Sequence, residues 1–386
     1  MKPLVDLALS LALAFGCSSL LHAADNERLV PMFNGGDLAG WTNVNCAPET
    51  WTVRDGMIIS TGIPTGVLRT TRMYENFIVE LEWRHMVAGG NAGFFVYSAP
   101  ITAVGQPFTK GMEIQIIDRD HAQGWATRHG DVFSIHGATF VPDKPHPQGW
   151  QRSLPSEKRV KPQGEWNHYR VESRDGVLTV AVNGKVVSGG SNCVPRKGYI
   201  CLESEGSECH FRNVRIQELP SSNPPAGQVA EEDQGWMSLY NGLDLRGWKQ
   251  EPGHAAHWKA KDWTLDYDGK SETPDKTLWS ERTFRDFELI VDWRMPASPT
   301  KETPQAISNL SLRKTVVIPL VSAEAKPRGQ WNRMRVTMRG EQVVARMNDK
   351  VILEKMLPGT PMEGMVGLQH SGAPIQFANI YVRELK

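Results

Sequence analysis

Alternation with a period of two runs through the stronger apolar segments of this chain. Phe77, Val79, Leu81 and Trp83 fall on one face of a predicted strand, and Ile78, Glu80, Glu82 and Arg84 on the other. The same pattern marks Tyr169-Arg170-Val171-Glu172 and Leu178-Thr179-Val180-Ala181-Val182, the latter ended by the hairpin pair Asn183-Gly184. Met112, Ile114 and Ile116 face a core, which sends Glu113 and Gln115 together to the opposite face, with Asp118 just past the strand end. Ile200 and Leu202 share a face, as do Cys209 and Phe211. With Glu205-Gly206 between them the two segments read as a hairpin that sets Cys201 opposite His210. No run of a dozen residues keeps a helical apolar period. The prediction is an all-β chain of antiparallel sheets packed as sandwiches, with few and short helices.

The pattern repeats. Phe33-Asn34-Gly35-Gly36-Asp37-Leu38-Ala39-Gly40-Trp41 returns as Tyr240-Asn241-Gly242-Leu243-Asp244-Leu245-Arg246-Gly247-Trp248, and the Phe77–Arg84 segment returns at 287–294. Glu165-Trp166-Asn167 returns as Gln330-Trp331-Asn332, and the closing segments at 198–203 and 211–216 return at 364–369 and 377–382. A first unit over 28–219, a Pro- and Ser-rich linker over 220–233 and a second unit over 234–386 follow from this. Trp83 to Trp166 spans roughly eighty residues but Trp293 to Trp331 only roughly forty, so the second copy is shortened and lacks the Glu113 strand. Residues common to both copies are scaffold, and those unique to the first are the candidates for chemistry. On this reading Trp41, Trp83 and Trp166 belong to the core, while Trp125 and Trp150 are exposed platforms.

Composition narrows the function classes. With 43 basic and 43 acidic residues in 386, and no Lys/Arg-rich run, the chain has no field suited to nucleic acid. An apolar stretch from Leu7 to Leu21, followed by His22-Ala23-Ala24-Asp25, reads as a signal peptide over 1–24, and Ala14-Phe15-Gly16-Cys17 offers lipoprotein processing at Cys17 as an alternative. The protein is expected to be exported, periplasmic or extracellular, without a transmembrane segment. Export permits disulfides among Cys46, Cys193, Cys201 and Cys209; opposite faces argue against Cys201–Cys209, and Cys46–Cys193 remains open. The oligomeric state is not legible.

The region unique to the first copy holds Gly89-Gly90-Asn91-Ala92-Gly93, the Glu113–Asp118 segment and His129-Gly130-Asp131. Carboxylates paired on one sheet face suit acid/base work, and a merely solvated strand face is the alternative. His121, His129, His136 and His146 invite zinc, and Asp118, Asp120 and Asp131 invite Ca²⁺, but neither spacing forms a recognised site. No cofactor is required by the residues, and a divalent ion stays undetermined. Lys161 could stabilise an oxyanion, although Lys326 precedes the second copy's turn in the same way. No nucleophile elbow, phosphate loop, Rossmann fingerprint or zinc-protease helix is present.

The Asn-Gly-x-Asp-Leu-x-Gly-Trp openings, Gly89-Gly90-Asn91-Ala92-Gly93, Glu113-Ile114-Gln115-Ile116-Ile117-Asp118, Glu165-Trp166-Asn167 and Phe211-Arg212-Asn213 resemble the bacterial 3-keto-disaccharide (3-keto-glycoside) hydrolase family. The resemblance implies two tandem concanavalin A-like jelly-roll sandwiches and action on glycosides already oxidised at C3. The keto group acidifies the C2 hydrogen, so a carboxylate can remove it, the C1 substituent can leave with acid help, and hydration completes a net hydrolysis. Carried over, Glu113 is the leading base, with Asp118 or Asp131 as acid or metal ligand. Asn91, Tyr97, Gln115, Trp125, His129, Trp150 and Lys161 are the substrate-binding candidates. Tyr97 stands where the family has an arginine, which puts the source of enolate stabilisation in question. The alternative is a lectin-like carbohydrate-binding module, with a shallow groove, Trp125 or Trp150 exposed and no clustered acids.

Overall fold

The computed structural model describes residues 28–117, 129–224, 226–270, 276–297, 308–370 and 372–386. The 1–24 segment with Cys17, and Asp118, Asp120, His121 and Trp125, lie outside the described residues. The chain is all-β, built as two jelly-roll sandwiches in which every strand pair is antiparallel. Among the described residues helix is confined to short turns, the α-helical one being His254–His257. None is long and apolar enough to cross a membrane.

In the first sandwich one sheet runs Thr139–Pro142, Lys185–Val194, Val177–Val182, Asn167–Arg174, Phe77–His85, Cys209–Glu218, Met57–Ser60, Trp51–Arg54, with Val30–Pro31 added beside Cys209–Glu218. The facing sheet, which carries the candidate site, runs Arg152–Ser153, Val132–Ile135, Gly111–Ile117, Asn91–Ser98, Tyr199–Ser204, Gly66–Thr70, Trp41–Val44. The period-two pattern explains what lies between them. Phe77, Val79, Leu81 and Trp83 from one sheet meet Ala92, Phe94, Met112, Ile114, Ile116, Ile200 and Leu202 from the other, all within 1% of full burial. Because alternation sends every second residue the other way, Gly93, Glu113, Gln115 and Glu203 face outward from that core together.

Three expectations change here. The 199–204 and 209–218 strands belong to different sheets, so Glu205-Gly206 carries the chain across the sandwich edge and closes no hairpin: Cys201 pairs with Arg69 and Phe95, Cys209 with Ser60 and His85. Local turn chemistry could not tell a hairpin from a crossover between packed sheets. The four cysteines from Cys46 onward are free thiols, so Cys46 and Cys193 are not joined. Trp166 is half-buried, lying between the guanidinium groups of Arg84 and Arg212, 4.5 and 4.0 Å from its ring, as Trp331 lies 4.5 Å from Arg294. Its recurrence reflects a stacked cation, not a core position.

The second sandwich repeats the frame with fewer strands. Its site-equivalent sheet runs Trp248–Lys249, Thr277–Phe284, Gly364–Gln369, Asn309–Leu312, Val316–Pro319. Val316–Pro319 therefore stands where Gly111–Ile117 stands in the first copy. The strand position expected to be missing is kept, but its residues Val316, Val317, Ile318 and Pro319 carry no acid.

Candidate active site

Three strands of the first copy bring the site together. Asn91–Ser98 lies between Gly111–Ile117 and Tyr199–Ser204, pairing Gly93 with Gln115 and Phe95 with both Glu113 and Cys201. Two residues along that register Glu203 comes beside Gly93. A methyl group built on Gly93 would lie 2.7 Å from Glu203 Oε2 and 2.8 Å from Glu113 Oε1, so the two carboxyls meet in the space that the missing side chain leaves. Gly93 is thus required by what lies over it, not by a turn.

Amides fix the floor beside the carboxyls. Gln115 Nε2 donates to Asn91 Oδ1 at 2.6 Å and to the Ala92 carbonyl at 3.0 Å, while Asn91 Nδ2 donates to Glu205 Oε2. The Gln115 carbonyl accepts the Tyr169 hydroxyl at 2.6 Å. These bonds leave Glu113 at 7% exposure and Glu203 at 0%, and no donor among the described residues reaches either oxygen of Glu203. Burial pushes the Glu113 carboxyl up to about 8, with the charge of Glu205 adding to the rise and Arg152 opposing it. Burial likewise raises Glu203 far above the usual carboxylate range, and the facing Glu113 and Glu205 raise it further. Glu205 is also raised, by burial. A buried carboxyl without a cation or donor avoids its desolvation cost by keeping its proton. Glu203 is that group, whereas the Arg152 cation favours the ionised form of Glu113.

The cation of the site comes from the next strands. Gly111–Ile117 pairs with Val132–Ile135, which pairs with Arg152–Ser153, setting Glu113, Phe133 and Arg152 in one row. Arg152 is 1% exposed; its Nε lies 2.8 Å from Asp131 Oδ2 and its guanidinium 3.9 Å from the centre of the Phe133 ring. Asp131, expected as acid or metal ligand, is fully buried and holds this arginine. Nearby, Trp150 is 40% exposed and stacks on His146 at 4.5 Å with the planes 5° apart.

The remaining sequence candidates sit elsewhere. Tyr97 is fully buried between the sheets with its hydroxyl on Ser173, because a left-handed residue at φ 58° turns it inward; it is a core residue and not a substrate ligand. His129 is 1% exposed and its Nε2 accepts the Arg159 N–H at 3.0 Å. Lys161 donates from Nζ to the Trp166 carbonyl at 3.1 Å, and its N–H goes to Asn167 Oδ1 at 2.8 Å, as Lys326 N–H goes to Asn332 at 2.6 Å. Lys161 therefore closes its own turn, as Lys326 does in the second copy. Among the described residues no group of three or more His, Cys, Asp or Glu side chains is arranged to hold a metal ion.

Sequence reasoning missed Arg152, Glu203 and Glu205. For Glu203 a signal existed: the second copy has Gln369 at that position, where it accepts a bond from Asn309 Nδ2 at 2.9 Å. An acid in one copy and its amide in the other marks a site that was not needed for folding. Arg152 had no such signal, since its strand is two residues long.

Comparisons with known proteins bear on this arrangement. The sequence profile of the 3-keto-alpha-glucoside-1,2-lyase-like domain matches residues 28–217, 235–315 and 308–383. A 3-keto-disaccharide hydrolase of Bacteroides thetaiotaomicron is 22% identical over 253 residues, which cover 52% of this chain and 82% of that protein. Among solved structures, a protein of Parabacteroides distasonis provisionally described as a glycosyl hydrolase is similar at 24% identity. It covers 50% of this chain and 94% of its own, with a TM-score of 0.39. The carbohydrate binding module CBM66 of Bacillus subtilis is similar at 13% identity, covering 46% and 96%, with a TM-score of 0.35. With both copies matched, the chain belongs to the family of 3-keto-alpha-glucoside-1,2-lyase-like domains.

Proposed function

We propose that the first copy cleaves 3-keto-glycosides, and that Glu113 and Glu203 are its acid/base pair. The observation that carries this reading is the meeting of the two carboxyls over Gly93, both raised above the ordinary carboxylate range by burial, with the opposing Arg152 cation acting on Glu113. Ionised Glu113 removes the C2 proton, and the C2–H electron pair moves into a C2=C3 enolate. The enolate then expels the C1 substituent, whose oxygen takes the proton of Glu203, leaving a 1,2-unsaturated 3-keto sugar. Water adds across that double bond, its hydroxyl to C1 and a proton to C2, and both carboxyls return to their starting states. Arg152, the cation beside Glu113, favours ionised Glu113 and offsets the enolate's negative charge; this is the role that the residue at Tyr97 does not fill. Gln115 and Asn91 orient sugar hydroxyls, and the Trp150–His146 stack offers a ring face to the sugar.

The lectin-like alternative calls for a site without clustered acids. A cluster of buried carboxyls, one of them, Glu203, without a hydrogen-bond partner among the described residues, is a poor device for holding a neutral sugar and a good one for moving protons. The second copy, with Gln369 and no acid on Val316–Pro319, is read as non-catalytic. The test is release of 3-keto-glucose from 3-keto-trehalose and from a 3-keto-glucoside, with unoxidised trehalose as control and each reaction repeated after chelator treatment. Cleavage of the oxidised substrates alone supports the reading. Cleavage of trehalose at a similar rate contradicts it, as does glycan binding without turnover on any 3-keto substrate.

A further inference from the structure

The opening turns of the two copies are built alike. Asn34 Oδ1 accepts the N–H groups of Gly36 and Asp37 at 2.8 and 3.0 Å, and Asn241 Oδ1 those of Leu243 and Asp244 at the same distances. Each turn then receives a strand: Thr71 N–H donates to the Gly40 carbonyl at 2.9 Å and Glu281 N–H to the Gly247 carbonyl at 2.8 Å. Arg72 pairs with Glu218, and Arg282 with Glu384. On the first copy this surface is covered by an acidic turn from the linker. Gly40 N–H donates to Asp233 Oδ2 at 2.9 Å, Glu231 lies 4.0 Å from Arg72 Nε, and Arg69 Nη2 donates to both carboxylate oxygens of Glu232 at 2.9 and 2.8 Å.

Among the described residues no acidic side chain takes the Asp233 place on the matching surface of the second copy. There Arg246, Gly247 and Arg282 line a cavity of about 650 Å³ together with Glu281, the Arg69–Glu232 pair, and Pro100 and Ile101 of the first copy. Trp236, Leu239 and Tyr240 give it an apolar wall. Among the described residues the Gly247 N–H meets no acceptor where Gly40 meets Asp233. Arg246 replaces Ala39 of the first copy and spends only its Nε, on Asp244 at 2.7 Å.

We propose that this cavity between the copies binds a small carboxylate-bearing ligand with an apolar body, its carboxylate set between the Gly247 N–H and the Arg246 guanidinium as Asp233 is set on the first copy. The volume suits a small molecule, and the donors at one end of an apolar wall fix its orientation. The site uses none of the residues assigned to glycoside cleavage.

The test is calorimetric titration of the whole protein with 4-phenylbutanoate, its neutral amide and glucuronate, followed by the amide-proton shift of Gly247. The expected result is binding of phenylbutanoate at least about tenfold tighter than the amide, a Gly247 shift, and at least about tenfold weaker binding in Arg246→Glu. The exposed control Arg174→Glu and the active-site variant Glu113→Gln should keep the affinity, which separates this site from the proposed chemistry. Equal binding of acid and amide, an unaffected Arg246→Glu, or no binding of either carboxylate at millimolar concentration would overturn the proposal. Tighter binding of glucuronate than of phenylbutanoate would overturn the apolar body.

Discussion

At the scale of single residues, Gly93 decides whether two acids can share one space. Gly93→Ala forces a methyl group into both carboxyls, so it should cost about 1–3 kcal/mol of stability and remove most activity, measured by urea unfolding and by turnover of a 3-keto-glucoside. The ionisation of Glu113 sets the pH profile. Its charged form is the base, so the rate should climb as pH rises towards about 8 and fall again where Glu203 loses its proton. Glu205 raises Glu113, so Glu205→Gln should move the rising limb to lower pH in a kcat/KM profile. A limb that stays in place would contradict the assignment. The same groups act on stability with the opposite sign from an ion-paired acid. The folded chain keeps these protons while the unfolded chain releases them near the ordinary carboxyl value of 4.5, so stability falls as pH rises from there to about 8. Glu203→Gln should make that fall shallower in melting curves taken between pH 5 and 8. The outward pairing of Glu113 and Gln115 was legible from period-two alternation. The company of Glu203 was not, because it depends on which strand lies across Gly93.

At the scale of elements, the short Arg152–Ser153 strand delivers the site's cation. Arg152→Gln removes the cation 2.8 Å from the fully buried Asp131, a loss of about 3–5 kcal/mol in denaturant unfolding. Because Arg152 opposes the rise of Glu113, the same variant should push the rate limb to higher pH. Strands long enough to alternate, such as Phe77–His85 and Asn167–Arg174, were readable from the sequence. A two-residue strand carries no period, and the Glu205-Gly206 turn is compatible with either a hairpin or a crossing between sheets. Only packing distinguishes them.

At the scale of the whole molecule, the repeat was the most informative sequence feature, since comparing the copies separated frame from chemistry at Lys161 and, in retrospect, at Glu203. How the copies meet was not legible, because contacts such as Tyr199 with Tyr381 at 3.2 Å and Lys110 with Asp262 at 2.9 Å join residues that no local pattern links. Lys197 is held in that interface at 2% exposure, its amine 4.7 Å from the Trp263 ring centre and, among the described residues, without a hydrogen-bond acceptor. Burial lowers it to about 8, so the unfolded chain binds the extra proton between about 8 and the ordinary lysine value of 10.5, and stability should rise with pH across that window. Lys197→Met should remove this rise and raise the melting temperature at pH 7. The central claim is that Glu113 begins cleavage by taking the C2 proton, with Glu203 as the acid for the leaving group. It is tested most directly by turnover of a 3-keto-glucoside carrying deuterium at C2, in the native protein and in Glu113→Gln. The account predicts a primary isotope effect on the native rate and a loss of at least about a hundredfold in the variant; equal rates for both isotopes, with Glu113→Gln still active, would contradict it.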